Sequence, residues 1–137
     1  MLGGFDPDIA FIDAALTVTF DRCVADPARV AVAGFSDGGS YALSIGLANG
    51  DLFPHVMAFS PGFVVPSTER GEPRFFVSHG TQDAVLPIDH TSRRIVPDLR
   101  AAGYAVDYQE FDGGHTVPPE VARDAVSWFL EGRDGVR

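Results

Sequence analysis

Three residues whose types cooperate in acyl transfer each follow a different apolar run: Ser36, Asp83 and His115. A serine hydroxyl is a weak nucleophile until an imidazole takes its proton and a carboxylate holds that imidazole in the right tautomer. Ser36 sits in Gly34-Phe35-Ser36-Asp37-Gly38-Gly39, between the run Val30-Ala31-Val32-Ala33 and a helix-like stretch that reaches about Ala48. Gly-x-Ser-x-Gly after a strand and before a helix is the setting of a nucleophile elbow. The turn strains the serine backbone, and side chains at 34 or 38 are expected to collide with the neighbouring strand and helix. At the start of that helix the backbone N–H of Asp37 would point at an oxyanion formed on the attacked carbonyl. The bland alternative is an ordinary glycine-rich turn.

The other two residues have rivals. His115 follows Asp112-Gly113-Gly114, and its bland reading is a loop histidine that caps the next helix. His79 is the chief rival base, but it closes a strand and reads as structural; His55 and His90 have no partner pattern. Asp112 is the rival acid, yet it lies too near His115 in the chain to come from a separate strand end. These histidines and carboxylates show no metal-ligand spacing.

Strands alternating with helices would position such a set. Asp6-Pro7 reads as an N-cap followed by proline, and Ile9, Ile12, Leu16 and Phe20 recur at helical spacing, which predicts a helix over about 7–25. Residues 30–35 carry no polar side chain and predict a parallel strand covered on both faces. A helix from Gly39 to Asn49-Gly50, a strand over 55–60, and a connection from Pro61 to Pro73 too short for a cap domain follow. Residues 74–78 predict a third strand leading into His79-Gly80-Thr81-Gln82-Asp83. A helix over about 88–102 contains Pro97, so a kink or a late start is expected. Residues 105–111 predict an edge strand with one wet face, and Pro118-Pro119 opens the last helix, after which the tail from Gly132 is expected to fray. The fold class is therefore α/β, about four parallel strands with flanking helices in one domain over 1–137. Ligands of open parallel sheets bind beyond the carboxyl ends of the strands, where all three residues fall.

Composition narrows the partners. The 137 residues carry a net charge of −9 and no lysine, which argues against nucleic acid or an anionic membrane as partner. Cys23 is the single cysteine, so no internal disulfide or cysteine metal site is available, and an inert buried thiol is expected. The N-terminus lacks the pattern of a signal peptide and no run is long enough to span a membrane, which predicts a cytoplasmic protein, or a secreted one if the native start lies upstream.

The blocks Gly34 to Gly39, His79-Gly80-Thr81-Gln82-Asp83 with Val85 and Pro87, and Gly113-Gly114-His115 resemble the nucleophile, acid and histidine blocks of the phospholipase/carboxylesterase and dienelactone-hydrolase-like branch of the α/β-hydrolases. The resemblance covers about residues 7–131, in the chain order serine, acid, histidine that this superfamily uses. It implies carboxylic ester hydrolysis through an acyl-enzyme, with no cofactor. It also implies a departure, because family members carry about four further strands, and a loop with the second oxyanion donor, before the helix that opens this chain. Three expectations follow: a homodimer that covers the strand at 30–35, an oxyanion hole incomplete within one chain, and an open apolar cleft lined by Phe63, Val85, Leu86 and Val117 with Val64 beside it. Such a cleft would suit loosely held acyl esters, up to a bulky polyester chain. A non-catalytic remnant that binds a ligand or partner, and a thioesterase or peptidase with the same triad, are the alternatives.

Overall fold

The computed structural model describes residues 6–131. Helix α1 (Asp6–Arg22) leads through a 3-10 turn at Pro27–Arg29 into strand β1 (Ala31–Phe35), which feeds helix α2 (Asp37–Ala48). Strands β2 (His55–Phe59) and β3 (Arg74–Gly80) follow, joined by a helix-free connection. A 3-10 turn at Ile88–His90, helix α3 (Ser92–Ala101), strand β4 (Val106–Phe111) and helix α4 (Pro119–Glu131) complete the order. All three strand pairs are parallel and the sheet order is β1-β2-β3-β4. The α/β architecture and the four strands are those the hydrophobic runs predict.

Two layers sandwich the sheet. On one face Ala42, Leu43 and Leu47 of α2 and Val96 and Leu99 of α3 pack on Val56, Ala58, Phe75 and Val77. On the other, Val121, Ala125 and Trp128 of α4 pack on Phe76, with Met57, Phe59 and Phe111 around them. The helix starts late, since the 3-10 turn ends at His90 and the α-helix begins at Ser92, and Pro97 lies inside it, where it gives up one i→i−4 hydrogen bond.

Three expectations are corrected. Strand β1 is not covered on both faces, since it forms one edge of the sheet and leaves Ala33 and Phe35 exposed. The reason is reach: the apolar side chains packed around α4 come from β2, β3 and β4. Helix α1 lies against α2 through Ile9, Ile12 and Leu16, which meet Ile45 and Phe53, but Phe20 stays exposed. The helix ends at Arg22, so Cys23 lies beyond it and is exposed rather than buried. The first five residues and the tail from Gly132 lie outside the described residues.

Candidate active site

The elbow begins with the backbone. Ser36 has φ 61° and ψ −121°, a left-handed conformation that a non-glycine residue adopts only when its surroundings impose it. They do so from both sides: the Ser36 N–H donates to Phe59 O at 2.9 Å, and the Ser40 N–H closes the first turn of α2 on Ser36 O at 3.0 Å. A Cβ on Gly34 would overlap the Gly38 carbonyl, and one on Gly39 would stand 3.1 Å from Phe59 O. Position 38 departs from expectation, because a Cβ there would meet nothing within 4 Å. The crowding that the motif predicts at 38 falls on 39, where the helix crosses the end of β2. Asp37 is the first residue of α2, so its N–H is one of the helix donors without an intrahelical acceptor.

The acid and the histidine arrive on two loops that extend the pairing of β3 and β4. Thr81 N–H donates to Phe111 O and Gln82 N–H to Gly113 O, both at 2.9 Å. Gly80 lets these loops touch, since a side chain there would overlap the carbonyls of Gly113 and Gly114. Asp83 then folds back on its own loop, and its Oδ1 accepts the N–H groups of Val85 (2.9 Å) and Leu86 (2.7 Å).

The three side chains meet. His115 Nδ1 lies 2.6 Å from Asp83 Oδ2, and its Nε2 lies 3.0 Å from Ser36 Oγ. An ionised carboxylate only accepts, so the His115 proton sits on Nδ1 and the free lone pair of Nε2 accepts the Ser36 hydroxyl. Burial opposes charge on Asp83, but the hydrogen bonds from Leu86, His115 and Val85 outweigh it and hold its pKa below the usual carboxylate value. The Asp83 side chain is fully buried, whereas His115 keeps 16% of its side chain exposed. The Phe35 ring packs on the imidazole at a tilt, centroids 4.7 Å apart.

The rivals separate. Asp112 is exposed and accepts from Gln82 Nε2 at 2.7 Å. His90 is exposed in its 3-10 turn, and His55 is buried against Trp128 and Phe129. His79 is fully buried and belongs to the wall behind Asp83. Of the residues expected to line the cleft, Phe63 and Val85 are exposed, while Leu86, Val117 and Val64 are half-buried. Val64 packs on the core, as its bland reading has it. Beside the elbow, Asp8, Phe11, Ile12, Asp37, Gly38 and Tyr41 line an open hollow of about 450 Å³.

Sequence reasoning missed two supports. Ser40 and Ser44 are buried on α2: Ser40 Oγ accepts from Gly62 N (2.8 Å) and Phe63 N (3.1 Å), and Ser44 Oγ accepts from Val65 N (2.9 Å). They pin the connection after β2, and with it Phe63, to the elbow helix. Their signal was two hydroxyls one turn apart on an otherwise apolar helix face. Among the described residues no group of three or more His, Cys, Asp or Glu could hold a metal, and no helix is long and apolar enough to cross a membrane.

A family model described as "Putative esterase" matches residues 11–94, more than half of the chain, including Ser36 and Asp83. The chain belongs to that esterase family. No curated protein matches it. Among solved structures it is similar to esterase PE8, with 27% identity and a TM-score of 0.80, over 95% of this chain and 62% of that one. It is also similar to a variant of Arabidopsis thaliana SOBER1 (23% identity, TM-score 0.72, 95% and 64% covered). A thermostable esterase gives 24% identity and a TM-score of 0.74, with 92% of this chain and 36% of that one covered. The last two likenesses show the fold alone. The fold is the α/β-hydrolase fold in a four-stranded form, and the chain spans less than two thirds of the length of these relatives.

Proposed function

We propose that the protein is a serine hydrolase that cleaves carboxylic esters through an acyl-enzyme, with Ser36 as nucleophile, His115 as proton carrier and Asp83 as its orienting carboxylate. The observation that carries this reading is the single imidazole that bridges Ser36 Oγ at 3.0 Å and Asp83 Oδ2 at 2.6 Å. Membership of the esterase family and the likeness to esterase PE8 support ester as the substrate class.

In the first half-reaction Ser36 Oγ forms a bond to the ester carbonyl carbon while His115 Nε2 takes the hydroxyl proton. The negative charge that develops on the carbonyl oxygen faces the start of α2, where the Asp37 N–H is a donor. Collapse breaks the bond to the leaving oxygen, and the proton held on His115 passes to it, releasing an alcohol. Water then gives its proton to the same nitrogen and attacks the acyl carbon; the carboxylic acid leaves and the proton returns to Ser36. Asp83 keeps its charge throughout and stabilises the imidazolium.

The substrate reading follows from the surroundings of Ser36. The connection between β2 and β3 has no helix to form a lid, and Phe63 and Val85 expose apolar surface. Leu86 and Val117 extend the same lining. Such a surface favours uncharged acyl esters over small charged ones, and leaves room for a polyester chain. The decisive measurement is hydrolysis of a chromogenic short-chain ester by the purified protein and by Ser36→Ala, with a soluble polyester oligomer as second substrate. Turnover that vanishes in Ser36→Ala supports the reading. Equal turnover by the two proteins would rule out Ser36 as nucleophile, no turnover by either would leave a non-catalytic member of the family, and a sharp preference for one small charged ester would overturn the open site.

A further inference from the structure

Asp83 has a close neighbour that the triad does not need. His79 is fully buried, with Nδ1 2.7 Å from Ser92 Oγ and Nε2 2.8 Å from the Leu86 carbonyl oxygen. The same Nε2 lies 3.1 Å from Asp83 Oδ2, the oxygen that also accepts from His115. A carbonyl oxygen only accepts, so Nε2 carries the proton and donates it to Leu86 O, which leaves the positive N–H edge of the ring beside Asp83 Oδ2. In the neutral ring Nδ1 is then an acceptor, and the buried Ser92 hydroxyl donates to it.

The contacts close on themselves. Leu86 gives its N–H to Asp83 Oδ1 and receives His79 at its carbonyl, so one residue fixes both the acid and the ring behind it. With Val85 N–H on Oδ1 as well, the carboxylate accepts three hydrogen bonds, and the Nε2 edge of His79 closes the space beside Oδ2, so a rotation away from His115 is opposed. A histidine that served only the core would need no contact with the oxygen that holds the catalytic imidazole.

We propose that His79, oriented by Ser92, is a positioning residue that holds Asp83 Oδ2 in line with His115. This inference rests on the triad reading above. It acts through Asp83 and touches no substrate, so it should govern kcat and leave KM alone.

The test uses three variants of the full chain. His79→Gln places an amide N–H near the position of Nε2 and keeps the donor to Leu86 O beside Asp83 Oδ2. His79→Asn places its amide near Nδ1 and loses that donor. Ser92→Ala removes only the hydroxyl that orients the ring. Expected are a fall in kcat of about 10- to 100-fold for His79→Asn, the range seen when a buried outer partner of a functional group is removed, with recovery of most of it in His79→Gln. Ser92→Ala should lose about threefold or more in kcat, and KM should stay within about twofold in all three. A readout independent of turnover is the downfield proton resonance of His115 Nδ1–H, which should move or broaden in His79→Asn and return in His79→Gln. Trp128, the single tryptophan, packs on Phe76 in the core and reports folding by its fluorescence. If His79→Asn folds with wild-type kcat and an unmoved resonance while Ser36→Ala is inactive, the positioning role falls and the triad stands. If His79→Asn does not fold, Ser92→Ala decides: wild-type kcat overturns the proposal and a reduced kcat supports it. If Ser36→Ala keeps its activity, both readings fall together.

Discussion

Gly80 and Gly114 meet through bare backbone: a Cβ at position 80 would overlap the Gly114 carbonyl oxygen. This contact sets the distance between the loop that carries Asp83 and the loop that carries His115, because each residue sits within a few positions of one of these glycines. Gly80→Ala must therefore push the two loops apart. The expected cost is about 1–3 kcal/mol of stability, as for overpacking elsewhere. A displacement of about 1 Å at the reacting groups costs roughly 10² in rate, so ester hydrolysis should fall further than stability does. Parallel thermal melts and kcat measurements check this; unchanged turnover would show that the loops tolerate the shift.

The two glycines of the elbow motif should behave differently. A Cβ on Gly34 overlaps the Gly38 carbonyl, whereas a Cβ on Gly38 meets nothing within 4 Å. Gly34→Ala is expected to prevent folding or cost several kcal/mol, while Gly38→Ala, in the first turn of α2, should change stability by no more than about 1 kcal/mol and can raise it. Denaturant titration of both variants separates the cases. Equal destabilisation would refute the distinction between the two positions.

Asp83→Asn should be far more damaging than its shape suggests. Oδ1 accepts two loop N–H groups, so an asparagine would keep its oxygen there and turn its NH₂ toward His115 and His79. That NH₂ donates, so the His115 ring must present an acceptor at Nδ1 and move its proton to Nε2, where it can no longer accept the Ser36 hydroxyl. A wrong tautomer of this kind lowers turnover by about 10⁴ in a serine triad. Steady-state kinetics of Asp83→Asn, with its melt as control, measures it; a loss under tenfold would refute the tautomer argument.

The fold class, the four strands and the three side chains that meet at the elbow were legible because each rests on local signals. The apolar runs at 55–60 and 74–78 state their burial, and Gly34-Phe35-Ser36-Asp37-Gly38 states its turn. What was not legible depends on neighbours. Residues 30–35 have the composition of a central strand and lie at the edge, because composition records which surfaces are apolar and not what covers them. Cys23 looked like part of a helix that stops one residue earlier. His79 read as structural, which its burial bears out, but its contact with Asp83 Oδ2 depends on the path of the loop through Leu86.

Acid stability should depend on a cluster away from the triad. Arg93 donates from Nε and Nη2 to the two oxygens of Glu110 at 2.9 and 2.8 Å, and from Nη1 to Asp89 at 2.7 Å. The Arg93 bonds hold the Glu110 pKa down to about 2, against 4.5 for a free glutamate. A depressed folded pKa stabilises the native state above the unfolded value, and that contribution is lost as pH falls from 4.5 toward about 2. Wild type should therefore melt above Glu110→Gln at pH 6, and the two curves should converge below about pH 3. The cluster is on the surface, so the gap should also shrink in high salt. A constant gap from pH 6 to pH 2 would assign the effect to packing instead.

The open edge of β1 is expected to be covered by a second copy of the chain. In the register Gly34↔Ala58, with the Ser36 N–H on Phe59 O, the even-numbered residues of β1 turn their backbone groups toward β2. Ala31, Ala33 and Phe35 then turn theirs outward. The strand Ala-Val-Ala-Gly-Phe carries no charge or proline that would keep another chain away, and unpaired apolar edges without such residues invite pairing. A two-fold axis beside β1 would satisfy these groups and cover Phe35, whose ring already touches His115, so the dimer contact would border the active site. Ala33→Pro removes one outward N–H and leaves the β2 pairing intact, which makes it the selective probe. Light scattering at micromolar concentration should give a dimer for the wild type and a monomer for Ala33→Pro, with the melt lowered by the loss of the interface. A wild type that stays monomeric would sink this expectation, and a variant that stays dimeric would move the interface to another surface.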